Sequence, residues 1–233
     1  ILTRLDQNFE LDNIRFHCSA SIGITLFGLQ PERMEEPLKR ADTAMYQAKS
    51  AGRNTIRFFD PEMQVAVSAL AALEMELRHA VAEHQFLLLY QPQISANGRV
   101  TGAEALVRWC HSERGLVSPL EFIRVAETSD LIFPLGGWIL ETACQQLASW
   151  ATSPIYNGLS VAVNVSARQF QHTDFVQHVI DALQRTGANP SLLKLELTES
   201  VLLDDVENTI AKMDTLKARG ISFSLDDFGT GYS

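Results

Sequence analysis

Cysteine is scarce in this chain: Cys18, Cys110 and Cys144 are the only three, and no Cys-x-x-Cys spacing joins them. That speaks against a disulfide framework and a zinc site, and leaves buried thiols in a reducing compartment as the expectation. The six histidines make no ligand pattern either, since His79 and His84 are five apart and fall on different helical faces. No uninterrupted apolar run in the given residues approaches the ~18 residues of a membrane span, and none of them reads as a signal peptide. A basic excess is also missing. The net charge of −9 and pI near 5.1 speak against nucleic acid as a partner, which needs a basic face. An anionic ligand would require metal ions or a few local cations. The expected location is cytoplasmic, with room for a membrane anchor in an upstream segment of a parent protein.

What is present is a globular composition, 46% hydrophobic and 20% charged over 233 residues, enough for one large domain or two modest ones. Residues 16–27 alternate like a strand, 37–50 have helical spacing, and 56–59 read as a short closing strand. Asp60-Pro61 then offers an N-cap and a first-turn proline. The helix that follows, with Val67, Leu70, Leu73, Leu77 and Val81 as its apolar side, is expected to run to about His84 and join two domains. From Phe86 onward strand and helix signals alternate. Strands are expected at 86–94, 102–109, 160–166, 193–198 and 221–228, and helices at 119–129, 136–151, 173–186 and 206–219. Such alternation implies parallel pairing through crossover helices, an α/β architecture. The chain opens on Ile1 and closes on Ser233 just past a strand signal, so both ends are expected to be cuts within domains.

Polar residues inside the strands of a doubly covered sheet need a reason. In 160–166, Val161, Val163 and Val165 share one parity and Asn164 the other. Leu195 and Leu197 oppose Lys194, Glu196 and Thr198, Phe223 and Leu225 oppose Ser222, Ser224 and Asp226, and Glu104, Leu106 and Arg108 oppose Ala105, Val107 and Trp109. With the apolar parity beneath helices, Glu104, Asn164, Glu196 and Asp226 converge from four strands, as in barrel enzymes. Gathered carboxylates need compensating cations, and an all-oxygen donor set selects Mg²⁺ or Mn²⁺ over zinc. Asp227, next in sequence, could bridge to a second ion, and two ions suit phosphoester hydrolysis. Taken singly, each carboxylate also fits an ion pair or a helix cap, and Arg108 fits either a carboxylate or a phosphate partner. His111 and Glu113 read as a solvated polar loop, while Gly229 and Gly231 allow a mobile lid.

These same residues resemble a known family. Glu104-Ala105-Leu106-Val107-Arg108-Trp109 is similar to the EAL signature. Asn164-Val165-Ser166 with Phe170, Glu196-Leu197-Thr198-Glu199, and Asp226-Asp227-Phe228-Gly229-Thr230-Gly231-Tyr232-Ser233 are similar to its later motifs, in order and at separations of 60, 32 and 30 residues. The resemblance begins near Leu73. It implies a TIM-like barrel of EAL type, in which Glu104, Asn164, Glu196 and Asp226 bind one metal and Asp227 serves a second. Glu199 would brace the loop starting at Asp227, with Glu104, Asp226, Asp227 and Glu199 as the catalytic set, and Gln91, Leu106 and Arg108 would contact the dinucleotide. The implied activity is hydrolysis of cyclic di-GMP to linear pGpG by metal-activated water, with two ions, Mg²⁺ or Mn²⁺. Arg124 and Asp130 stand where the family often has proline and glycine. A lysine and a glutamate that the family uses on later strands fall beyond Ser233.

The N-terminal stretch resembles the end of a GGDEF domain. It carries Ser21-Ile22-Gly23-Ile24, then Ala41-Asp42-Thr43-Ala44-Met45-Tyr46-Gln47-Ala48-Lys49, then Gly52-Arg53-Asn54, and the resemblance implies that Lys49 and Arg53 would reach nucleotide phosphates in an intact domain. The expected organisation is a GGDEF remnant at 1–60, a connecting helix at 61–84 and an EAL segment at 85–233, truncated after about the fifth strand. A homodimer with an upstream sensor is expected of the parent protein. Two other readings stay open: a receptor that binds cyclic di-GMP without cleaving it, and an interaction scaffold, which leaves the inward carboxylates unexplained.

Overall fold

A computed structural model describes residues 2–5, 9–11, 14–16, 18–28, 33, 35–198, 201 and 205–226. The chain divides into two compact units, 1–73 and 74–233, with the division inside one helix.

In the first unit, α1 (Leu2–Leu5) precedes an antiparallel pair of β1 (Phe9–Leu11) and β2 (Ile14–Phe16). β3 (Ile22–Ile24) and β4 (Ile56–Phe58) pair in parallel, joined through α2 (Glu35–Ser50). Of the single long strand expected at 16–27, only Ile22–Ile24 forms a strand of its own, while Phe16 is the last residue of β2. β4 offers only three ladder partners, so pairing stops after Ile24. Gly23 is required by close approach: a Cβ there would lie 2.0 Å from the Ala41 carbonyl oxygen and 2.3 Å from the Met45 nitrogen. Lys49 is exposed in the last turn of α2, and Arg53 sits exposed just after the helix with φ 61°.

α3 (Pro61–Ala82) leads toward the second unit's sheet, with Asp60 Oδ1 accepting from the Glu62 N–H at its start. The sheet contains β5 (Phe86–Ile94), β6 (Val100–His111), β7 (Gly115–Val117), β8 (Ser160–Val165), β9 (Leu193–Thr198) and β10 (Ser222–Asp226). Their order is β10-β9-β8-β6-β5, with β7 also on β6. β6, β8, β9 and β10 are mutually parallel, as the alternation predicts. β5 departs from that expectation by running antiparallel to β6. Only 95–99 separates the two strands, too short for a crossover. Instead Asn97-Gly98 turns the chain, with the Ser95 N–H donating to the Arg99 carbonyl at 2.9 Å.

The helices α4 (Pro119–Thr128), α5 (Ile132–Ala151), α6 (Ala167–Gln171), α7 (Phe175–Thr186) and α8 (Val206–Lys217) complete the unit. Val161, Val163, Val165, Leu193, Leu195 and Leu197 are all buried on one strand parity. α5 begins four residues before the expected Gly136, because Leu131, Ile132 and Leu135 are buried and their packing outweighs glycine's poor helix propensity. Gly136 admits a neighbour: a Cβ there would lie 1.6 Å from Gln169 Nε2. His111, expected in a solvated loop, ends β6 with its ring 5.1 Å from Trp109, and its Nδ1 accepts from the Glu113 and Arg114 N–H groups.

One buried cation ties two helices together. Lys212 of α8 donates from Nζ to the carbonyls of Phe170, Gln171 and His172, each at 2.9 Å, at the end of α6. Burial pushes this ammonium below the ordinary lysine pKa, with Asp205 opposing the shift. Lys212→Met keeps the stem and removes the donors, so buried carbonyls lose their partner at ~1–3 kcal/mol. The expected outcome is a lower denaturation midpoint, read by circular dichroism in urea; an unchanged midpoint would refute this role.

Candidate functional site

Strand register decides which side chains share the face away from the buried valines and leucines. In the β5–β6 hairpin, Leu89 pairs with Leu106, Gln91 with Glu104 and Gln93 with Gly102. Across the parallel strands Glu104 pairs with Ala162, Asn164 with Glu196, and Glu196 with Ser224. Paired residues in a sheet point to the same side. Glu104, Asn164 and Glu196 thus climb one pleat at the β6–β8 step and stay level at the next.

The side chains meet. Asn164 Nδ2 donates to Glu104 Oε1 at 2.7 Å, Ser224 Oγ donates to Glu196 Oε1 at 3.1 Å, and Gln93 Nε2 donates to the same Glu196 oxygen at 3.4 Å. The last contact measures the curvature of the sheet. β5 and β9 are three strand steps apart, ~14 Å in a flat sheet whose side chains stand upright. A hydrogen bond over that gap requires a wall curled toward this face, as in a barrel.

Neither Glu104 nor Glu196 has an ion-pair partner among the described residues. Each of the three residues keeps an oxygen that accepts no hydrogen bond there: one carboxylate oxygen on each glutamate and Oδ1 of Asn164. An unpaired, all-oxygen donor row suits a hard divalent cation. The described Asp, Glu, His and Cys side chains by themselves form no group of three that could hold a metal. Asp226 is the last residue of β10, its backbone paired with Thr198. Glu199, Asp227 and the segment 227–233 lie outside the described residues.

A cleft of about 250 Å³ opens where β6 and β8 part, lined by Leu106, Asn164, Glu196, Glu127, Ile132 and Gln169 among others. Gln91 is exposed beside Glu104, and half-buried Arg108 donates from Nη1 to the Val107 carbonyl at 2.8 Å; neither lines the cleft. Beyond Asn164, Ser166 and Gln169 form a capping box that fixes the exit of the chain from β8 into α6. Phe170 on that helix is fully buried against Phe175 and Phe223.

Glu127, Gln93, Ser224 and Gln169 were not singled out as site residues from sequence. A signal existed for Glu127, which stands one turn after Ile123 on the inner side of α4, where a carboxylate is out of place. Burial raises its pKa above the ordinary glutamate value, with Arg168 and Arg124 pulling the other way. Gln93 and Ser224 share parity with Gln91 and Asp226, but only curvature brings them to Glu196.

Comparison with known proteins follows this geometry. Residues 74–233 match the EAL domain family and residues 1–55 the diguanylate cyclase GGDEF domain. The chain is 39% identical over its whole length to 34% of the bifunctional diguanylate cyclase/cyclic di-GMP phosphodiesterase MucR of Pseudomonas aeruginosa. It is 40% identical, again over its whole length, to 35% of the cyclic di-GMP phosphodiesterase PdeR of Escherichia coli. The chain thus spans about a third of the length of these curated relatives. The solved structure of the MucR phosphodiesterase in complex with c-di-GMP superposes with a TM-score of 0.66 at 42% identity, covering 70% of this chain and 66% of that one. EAL phosphodiesterases depend in general on divalent metal ions. With its strands, curvature and motif order in agreement, the chain belongs to the EAL domain family, in which it forms part of a TIM-like α/β barrel preceded by the end of a GGDEF domain.

Proposed function

We propose that this chain supplies the first strands of a cyclic di-GMP phosphodiesterase that hydrolyses its substrate to pGpG. The observation that carries the reading is the Glu104–Asn164–Glu196 row, two carboxylates and an amide on adjacent strands whose carboxylates form no ion pair among the described residues, although Lys194 shares their face. The relatives' printed activities and the c-di-GMP complex of a 42% identical structure support the choice of substrate. The same reading assigns residues 1–60 to the end of a GGDEF domain, 61–84 to a connecting helix and 85–233 to the EAL segment. It also takes the complete protein as a cytoplasmic homodimer with an upstream sensor.

Glu104, Asn164, Glu196 and Asp226 would hold one Mg²⁺ or Mn²⁺, and Asp227 a second, with Glu199 bracing the loop that Asp227 begins. Such ions neutralise charge on a phosphodiester and acidify an attacking water. The chain's own residues do the rest. Leu106 offers an apolar surface to the dinucleotide at the cleft, and Gln91 presents its amide next to Glu104. Arg108, which spends one N–H on its neighbour's carbonyl, keeps further donors for a phosphate. The buried opposite face holds these groups on rigid strands.

In the complete protein with Mg²⁺, Glu104→Ala is expected to cut the rate of pGpG formation at least ~100-fold, as suits loss of a metal ligand. Product chromatography reads this, and undiminished turnover removes Glu104 from the metal set. Binding without turnover by the wild type would favour the receptor function instead.

Replacement of the ion gives a second test. Ca²⁺ takes longer bonds and more ligands than Mg²⁺, so it should support binding of cyclic di-GMP while positioning water poorly. Calorimetry should then report binding in Ca²⁺ with little product. Equal rates in the two metals contradict water activation at this site.

A further inference from the structure

We propose that Gln93 and Ser224 are positioning residues for Glu196, holding its Oε1 so that Oε2 is the oxygen presented to a divalent ion. The inference rests on reading the Glu104–Asn164–Glu196 row as a metal site and extends that reading to two residues outside the ligand set.

Three observations carry it. First, both donors converge on one oxygen: Ser224 Oγ at 3.1 Å and Gln93 Nε2 at 3.4 Å from Glu196 Oε1, while Oε2 accepts no hydrogen bond from any described residue. Secondly, the donors arrive from opposite flanks. Ser224 is the register partner of Glu196 on β10, and Gln93 reaches over from β5, beyond β6 and β8. A carboxylate gripped from both sides has lost the freedom of its terminal torsion, the freedom that a metal ligand must otherwise give up on binding. Thirdly, both donors are neutral. A lysine or arginine in either place would fix the carboxylate equally well but would offset the charge that attracts a cation; a hydroxyl and an amide orient it and leave its charge in place.

Asn164 shows the same logic within the row. Its Nδ2 is committed to Glu104 Oε1, which turns Oδ1 outward. Each of the two glutamates therefore has one oxygen held by a neutral N–H or O–H donor and one left over, a preorganised arrangement rather than three loose side chains. Partners of this kind around metal ligands are worth ~10–100-fold in metal affinity.

The test uses the complete protein, stripped of metal and titrated with Mn²⁺ by calorimetry without cyclic dinucleotide, so that no turnover enters the readout. Wild type is compared with Ser224→Ala, Gln93→Leu, the double variant, and Ser224→Thr, which keeps the hydroxyl. The double variant is expected to bind Mn²⁺ ~10–100-fold more weakly, Ser224→Ala to carry the larger share, and Ser224→Thr to stay within ~3-fold of wild type. Thermal midpoints of the metal-free proteins are expected to coincide. Double-variant affinity equal to wild type overturns the inference while leaving the metal site standing. Loss of affinity that tracks a fall in the metal-free midpoint overturns it too, since that marks a merely structural role. Should the double variant not fold, Ser224→Ala alone decides by the same criteria. Wild type that takes up no Mn²⁺ defeats the metal reading and this inference together.

Discussion

Glu104 and Glu196 share one sheet face, the first hydrogen-bonded by Asn164, the second by Ser224 and Gln93, and neither has an ion-pair partner among the described residues. The arrangement persists because the other face of the same strands is tightly packed. Val161, Val163, Val165, Leu193, Leu195 and Leu197 are buried, with α5 packed on β8. A one-residue slip in any ladder would exchange these valines and leucines for the polar row, so hydrophobic burial fixes the register and register fixes the site. The proposed function rests on residues whose position is maintained by their apolar neighbours in sequence.

Curvature is the second requirement. In a flat sheet the row would be a line of separate groups, each solvated in its own right. The curled wall allows Gln93, at the antiparallel end, to touch Glu196 three strands away. The β5–β6 hairpin therefore does more than begin the sheet. It sets Gln91 beside Glu104 and sends Gln93 across the concave side. The cleft between β6, β8, α4 and α5 continues from this row into apolar walls containing Glu127, whose carboxyl burial holds toward the protonated form.

Strand parity was legible from sequence because alternation has a period of two and each residue carries its own polarity. Val163 against Asn164, Leu195 against Glu196 and Leu225 against Ser224 assign the faces without knowledge of partners. The parallel order of β6, β8, β9 and β10 followed from helices long enough to cross between them, and the motif order carried the family. Tertiary structure alone decided the rest. The direction of β5 depended on a five-residue turn, and the start of α5 on the burial of Leu131 and Ile132 rather than on the glycines after them. The contacts of Gln93 and Ser224 with Glu196, and of Lys212 with the end of α6, join residues 103, 28 and about 40 positions apart. No local pattern marks such pairs, because they are products of how far the sheet curls and where its helices dock.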